Sequence, residues 1–416
     1  MRFRPHRVSS VLRVAARRAL LGLLTLQVTV IAVLSGIDSW RKRHRSQSAG
    51  FPRSAPEPVD VGHDEITLYA YGEDLYADML DAIRTARHQV LFESFIWKGD
   101  EVGTAFKDEL IAAAARGVEV YVIFDDFANL VVSERFKRFP PSLQVLRYPV
   151  YAAGWRFFDV RRYGRDHRKI LVVDDRFGFV GGYNIGSAYA TQWRDSHVRI
   201  AGPSVWGLRN AFVDFWNLHR ESEQPWLPDE GALHWDPHIR VHRNVPRQVV
   251  FPIRGMYLEA IDRATHHIYL THAYFIPDSA ILRALLAAAR RGVDVRLLMP
   301  TTSNHVVADW LSRGFYGTLL RGGVRIFLYR AMVHAKTATV DRQWSTIGTA
   351  NVDRLSLSGN YEINLEVYDD KLAARMEQVF STDCGNATEL TAQAWDARPF
   401  VAKFSETVLA PLRPLL

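Results

Sequence analysis

His167, Lys169 and Asp174 in HRKILVVD recur as His334, Lys336 and Asp341 in HAKTATVD. These residue types suit chemistry at a phosphate. The frame continues past the motif: a Gly follows each His by fourteen residues (Gly181, Gly348), an Asn by seventeen (Asn184, Asn351) and a carboxylate by twenty-eight (Asp195, Glu362). The chain has 15 His and only 8 Lys against 44 Arg, a composition at which well under one HxK triplet is expected, yet two occur in matching frames. A sequence that writes most of its positive charge as Arg has Lys at both 169 and 336, which points to a compact ammonium rather than a planar guanidinium.

A neutral imidazole near its ordinary pKa of about 6.5 attacks phosphorus, and a protonated one gives a proton to a departing alcohol. Two histidines on opposite sides of a phosphodiester do both jobs. Two lysines with Asn184 and Asn351 as neutral donors hold the non-bridging oxygens, so no divalent metal is required and no cofactor is implied. Asp195 and Glu362 stand at the repeat position from which a carboxylate orients a histidine ring and raises its basicity. Asp174 and Asp341 are placed with the catalytic set, with support of the strand–turn geometry as the competing role.

The elements that position these groups are also repeated. In a strand, residues i and i+2 share a face, so His167 projects with Lys169 and His334 with Lys336. Asp174 and Asp341 close those strands before turns at Asp175-Arg176 and Arg342-Gln343, and second strands follow in FGFVGG and STIGTA. Upstream, DAIRTARHQVLFESF matches EAIDRATHHIYLTHA, and AAARGVEVYVIFDD matches AAARRGVDVRLLMP. Each match is a helix running into a β-branched strand, with Gly117 or Gly292 closing a helix. Helix, strand, helix, strand and HxK strand therefore occur twice, an α/β architecture made twice over.

At 416 residues and 48 % hydrophobic content the chain holds two domains' worth of core. A net charge of +7 favours anionic partners, and the single cysteine, Cys384, excludes an intramolecular disulfide. Residues 1–45 form a basic N-terminus with an apolar stretch at 19–37, long enough to span a bilayer, followed by a linker at 46–64 rich in Ser, Pro and Gly. A first lobe is predicted at 65–220, a linker rich in Pro, His and Trp at 221–249, and a second lobe with a C-terminal tail at 250–416. His234, His238 and His242 are spaced for a helical metal face, but Pro237 and Pro246 argue against that helix.

With both HxKxxxxDxxxxxxG elements and the trailing Asn in view, the chain resembles the phospholipase D superfamily over roughly 66–416. It is most similar to the short, B-type bacterial cardiolipin synthases in WRDSHVRIAGPSV, THAYFIPD and GTANVDRLSLSGNYEINLEV. The resemblance implies two similar phospholipase D-like lobes, each a mixed β-sheet flanked by helices, related by a pseudo-twofold, with the site where the HxK strands meet. It implies a phosphohistidine intermediate, with His167 as nucleophile and His334 as acid and then base, the reverse being allowed by pseudosymmetry. The implied substrate is an anionic phospholipid, phosphatidylglycerol, at the bacterial inner membrane; nucleic acid is not an expected partner. Transfer to a second phosphatidylglycerol gives cardiolipin and glycerol. Hydrolysis to phosphatidic acid, nuclease activity and a non-catalytic lipid-binding role are the alternatives. Two departures are the apolar N-terminal stretch, untypical of the short type, and Asp195 opposite Glu362.

Overall fold

The computed structural model describes residues 5–44, 50–151 and 162–411. The first lobe holds β1 (Pro58–Val61), β2 (Asp64–Tyr69), β3 (Gln89–Ser94), β4 (Glu119–Asp125), β5 (Gln144–Tyr148), β6 (Ile170–Val173), β7 (Phe177–Gly181), β8 (Trp193–Arg194) and β9 (His197–Ala201). The second holds β10 (Ile239–Asn244), β11 (His267–His272), β12 (Asp294–Pro300), β13 (Arg325–Tyr329), β14 (Met332–Val333), β15 (Lys336–Val340), β16 (Trp344–Gly348), β17 (Glu362–Tyr368) and β18 (Ala387–Leu390). Two eight-stranded mixed sheets result, ordered β1-β2-β9-β7-β6-β3-β4-β5 and β10-β17-β16-β15-β11-β12-β13-β18. The parallel pairs β3–β4, β11–β12 and β12–β13 are joined through helices, the usual form of a parallel crossover, whereas β4 and β5 are joined by the turns of 126–143.

The inner faces of the two sheets share one core. Ile170, Val172, Val180 and Val198 of the first lobe pack in the same cluster as Ile347, Ile363, Leu365 and Val367 of the second. Each such side chain contributes about 1.5–3 kcal/mol when fully buried, so the lobes are parts of one body. The outer faces are covered by helices, Gly72–Thr85 and Glu101–Ala115 on the first sheet and Pro252–Arg263 and Ser279–Arg290 on the second. Gly117 and Gly292 end the second helix of each pair at φ 92° and 91°, the left-handed region in which glycine carries no Cβ penalty.

Both predicted linkers contain strands. β1 lies within 46–64 and pairs with β2, and β10 lies within 221–249 and pairs with β17 from Ile239↔Val367 to Asn244↔Glu362. Proline at the first position of an edge strand is tolerated, so the Pro-rich composition hid a sheet edge at Pro58. Positions 46–49 of the first linker lie outside the described residues.

One helix spans Pro5–His44. It sets Val30, Ile31 and Leu34 against Ile276, Leu311 and Leu409 of the second lobe. Its buried Gln27 donates from Nε2 to the Val408 carbonyl at 3.1 Å, so this polar side chain in mid-stretch is satisfied by protein. Among the described residues no helix is long and apolar enough to cross a membrane, and the predicted span at 19–37 is not confirmed; the side chains at 19 and 20 lie outside the described residues. The C-terminal tail enters as a helix, Phe400–Leu409, packed on the same cluster, while 412–416 lie outside the described residues.

Asp174 and Asp341 require a correction. Each opens a tight turn after an HxK strand, with φ 53° and 52° at Asp174 and Asp175 and 52° and 55° at Asp341 and Arg342, the paired positive values of a type I′ turn. The Asp174 carboxylate accepts the backbone N–H of Arg87, His88 and Gln89 at 2.8–2.9 Å. That of Asp341 accepts those of Thr265, His266 and His267 at 2.7–2.8 Å, and the Thr265 hydroxyl at 2.8 Å. Seven residues of extended chain, roughly 20 Å, separate each from its histidine, so these carboxylates fasten the start of β3 and β11 rather than touch the reacting groups. Both are held below the usual carboxylate pKa by these N–H donors despite partial burial. Their stabilisation is therefore present above the unfolded pKa of about 3.9 and lost as pH falls through the lower folded value. Asp174→Asn and Asp341→Asn should each lower unfolding free energy at pH 7 by about 1–2 kcal/mol, measured by urea denaturation, with the deficit shrinking toward pH 3 and kcat little changed.

Candidate active site at the lobe interface

The histidines do not lie within the strands predicted for them. β6 begins at Ile170 and β15 at Lys336, and each His sits just before, where the chain crosses to the other lobe. There Asp166 bridges Tyr361 in parallel, the His167 N–H donates to the Tyr361 carbonyl at 3.0 Å, and the Tyr361 N–H donates to the Arg165 carbonyl at 2.9 Å. At the pseudo-symmetric place β14 pairs with β8, Val333↔Arg194, and the His334 N–H donates to the Arg194 carbonyl at 2.6 Å. In both cases the next residue of the opposing strand is the carboxylate at plus twenty-eight.

The carboxylates therefore act across the interface. His167 Nδ1 lies 2.9 Å from Glu362 Oε2 and 3.0 Å from Oε1, and His334 Nδ1 lies 2.6 Å from Asp195 Oδ2. Each copy of the repeat supplies the carboxylate for the other copy's histidine. Glu362 also accepts the Thr349 hydroxyl at 2.5 Å, and Asp195 Oδ1 accepts the Ser196 N–H at 2.7 Å. The first lobe has Gly182 where the second has Thr349, and a Cβ on Gly182 would overlap the Asp195 carboxylate. The glycine thus makes room for the shorter acid.

Lys169 Nζ donates to the His167 carbonyl at 2.6 Å; Lys336 Nζ lies 2.8 Å from His334 Nδ1 and also donates to the His334 carbonyl. Both lysines are buried. Burial pushes Lys169 down to about 7, helped by the charge of Lys336, and Lys336 down to about 8, with Asp195 and Glu362 opposing in each case. Burial lowers the histidines too: His334 falls to about 3, with Lys336 adding to the effect and Asp195 opposing it, and His167 falls less far against Glu362. Asp195 is held at about 2, where the Lys336 charge and the His334 contact outweigh its burial, and Glu362 is likewise lowered. Each pair at neutral pH is thus a neutral imidazole giving Nδ1–H to a carboxylate, with its Nε2 lone pair available.

Asn184 and Asn351 are both buried beside this centre. Asn184 Oδ1 accepts the Ile96 N–H at 3.2 Å, which presents its amide N–H group elsewhere, and Asn351 Oδ1 has no partner among the described residues. Three aromatic neighbours were not anticipated as contacts. The Phe95 ring lies 4.7 Å from His167, and Trp193 and Tyr274 lie 5.2 and 6.4 Å from His334. Phe95 follows directly on β3, whose pairing with β6 is the signal that would have found it. A buried network in the first lobe was also missed: Arg168 Nη2 donates to Glu93 at 2.5 Å and Nε to Asp166 at 3.3 Å. The second lobe has Thr271, Ala335 and Val333 in those places.

The lysines set a pH dependence. With the histidines neutral above about pH 6.5, the charges lost on alkalinisation are those of Lys169 near 7 and Lys336 near 8. Affinity for a phosphodiester should be complete below both values and decline above them. We expect kcat/KM for a soluble short-chain phosphodiester to fall about tenfold or more between pH 6.5 and 9; a profile rising over that window would contradict the assignment.

The family model for the phospholipase D-like domain of cardiolipin synthase matches residues 79–216 and 257–384, one stretch per lobe. A cardiolipin synthase of Staphylococcus aureus strain Mu50 is 30 % identical over 368 residues, covering 85 % of this chain and 74 % of the relative. One from Clostridium perfringens strain 13 is 28 % identical over 371 residues, covering 85 % and 77 %. Among solved structures, a phosphatidylserine synthase of Haemophilus influenzae Rd KW20 superposes with a TM-score of 0.65 at 14 % identity, covering 86 % of this chain and 94 % of that one, which bears on the fold alone. The repeated motif, the doubled lobe and these matches have one conclusion: the chain belongs to the phospholipase D-like cardiolipin synthase family.

Proposed function

We propose that this protein is a phosphatidyltransferase that joins two phosphatidylglycerols into cardiolipin and releases glycerol. The observation that carries the reading is the pair of neutral histidines at the lobe interface, each with Nδ1 tied to a carboxylate and each backed by a buried lysine. Lys169, Lys336, Asn184 and Asn351 receive the phosphodiester oxygens. Nε2 of His167, the more exposed ring at 13 % against 7 % for His334, forms a bond to phosphorus. Entry of the anionic phosphodiester raises the proton affinity of His334, whose Nε2 takes up a proton from solvent; the bond from phosphorus to the headgroup glycerol then breaks, and that oxygen takes this proton. His334, then neutral, removes the proton from a hydroxyl of a second phosphatidylglycerol. That oxygen attacks phosphorus and frees His167. Asp195 and Glu362 act as positioning residues that keep each Nδ1 occupied.

The similarity to bacterial cardiolipin synthases supports an anionic phospholipid substrate and action at the cell membrane, by the N-terminal helix or by peripheral attachment. Labelled phosphatidylglycerol given to the purified protein without added metal should yield cardiolipin and glycerol; phosphatidic acid as the sole product would reassign the protein as a hydrolase. His167→Ala and His334→Ala should each lower turnover by about a thousandfold or more. With an activated phosphodiester whose leaving group needs no proton, His334→Ala should accumulate an acid-labile phosphoprotein and His167→Ala should not. The opposite pattern would exchange the two roles.

A further inference from the structure

The turn that follows β4 displays three apolar side chains to solvent: Phe127 is 51 %, Leu130 60 % and Val131 84 % exposed. Its backbone is nevertheless tightly held. Asp125 Oδ1 accepts the N–H groups of Phe127 and Ala128 at 2.8 and 3.1 Å. The buried Asn129 accepts the Trp97 N–H at 2.8 Å and donates to the carbonyls of Phe95 and Asp125 at 2.8 and 2.7 Å. These bonds keep Leu130 and Val131 facing out, where exposure of this kind costs solvation unless a partner covers them. The same bonds tie the turn to the catalytic centre, because Phe95 packs on His167. Arg165, two residues before His167, lies over the Phe127 ring at 5.4 Å.

The charges around the turn select the partner. Its acids are neutralised locally, Asp126 and Glu134 by Arg147 at 3.0 Å and Glu134 also by Lys137 at 3.0 Å. Arg135 and Arg138 remain exposed with no carboxylate in ion-pair range among the described residues. Apolar tips beside unpaired arginines complement an anionic lipid surface, with acyl chains below and phosphates above. The second lobe adds a counterpart. β12 is the repeat equivalent of β4, and the helix Val306–Arg321 that follows it carries the N-terminal helix, whose Leu21, Leu24, Val28 and Val33 are exposed. The two apolar surfaces thus follow equivalent strands, on either side of the pseudo-twofold.

We propose that the 127–131 turn is an interfacial wedge: Leu130 and Val131 enter an anionic phospholipid bilayer beside the mouth of the site, so that a lipid headgroup reaches His167 and His334 without leaving the membrane. The wedge deepens the phosphatidyltransferase reading and rests on it for its purpose, but not for its detection.

The test compares the full chain with a Leu130→Asp/Val131→Asp variant on two forms of phosphatidylglycerol, long-chain lipid in vesicles and a dihexanoyl form below its critical micelle concentration. We expect turnover on vesicles to fall about tenfold or more and turnover on the dispersed lipid to stay unchanged. Equal losses on both forms, or no loss on vesicles, would overturn the wedge. Should the unaltered protein turn over neither form, the phosphatidyltransferase reading fails, and a binding readout still decides the wedge. For that readout, Val131→Cys in a Cys384→Ser background carries an environment-sensitive fluorophore and is mixed with vesicles of phosphatidylglycerol and phosphatidylcholine. Emission should shift to the blue and be quenched by brominated acyl chains, and unchanged emission would overturn insertion.

Discussion

Everything at this site depends on one interaction, the hydrogen bond from a histidine of one lobe to a buried carboxylate of the other. A carboxylate as enclosed as Glu362 or Asp195 is costly unless its charge is paired and its oxygens hydrogen-bonded, and the partner in each case comes from the opposite half of the chain. Two short backbone bridges, Asp166↔Tyr361 and Val333↔Arg194, set this crossing. The shared core of the two inner sheet faces holds the bridges in register. Neither repeat contains a complete histidine site, which gives a physical reason for two copies to act as one body.

Pseudosymmetry is kept in the backbone and relaxed in the chemistry. The first lobe pairs a short acid with a glycine, Asp195 with Gly182, and the second pairs a longer acid with a hydroxyl donor, Glu362 with Thr349. Beneath His167 lies the buried Arg168, Glu93 and Asp166 network, and beneath His334 lie the neutral Ala335, Val333 and Thr271. Lys336 approaches the ring of His334, whereas Lys169 bonds only the backbone of its histidine. The two imidazoles therefore have unequal proton affinities, as a reaction that uses one as nucleophile and the other as proton carrier requires.

The repeated motif and the order of helices and strands were legible from spacing, because each helix and strand carries its own periodicity and each copy repeats the other. The hairpins after Asp174 and Asp341 were legible for the same reason. What spacing could not convey was direction across the interface. A carboxylate twenty-eight residues past a histidine reads as its own copy's partner or the other's equally well, and only the parallel bridges decide. Asp174 and Asp341 share the motif with the histidines, yet extended chain carries them to the far end of the strand, where backbone N–H groups of β3 and β11 need an acceptor. Edge strands β1 and β10 were hidden by proline and histidine, and the buried contact of Gln27 could not be seen in an apolar run read alone.

The crossed pairing is tested most directly by ¹⁵N NMR of the histidine side chains in the full-length protein with Glu362→Gln or Asp195→Asn. Glu362→Gln should shift the ring nitrogens of His167 and leave those of His334 in place, and Asp195→Asn should do the reverse. Perturbation of His334 by Glu362→Gln, or of His167 by Asp195→Asn, with the other ring unmoved, would mean that each repeat serves its own histidine and would contradict the account.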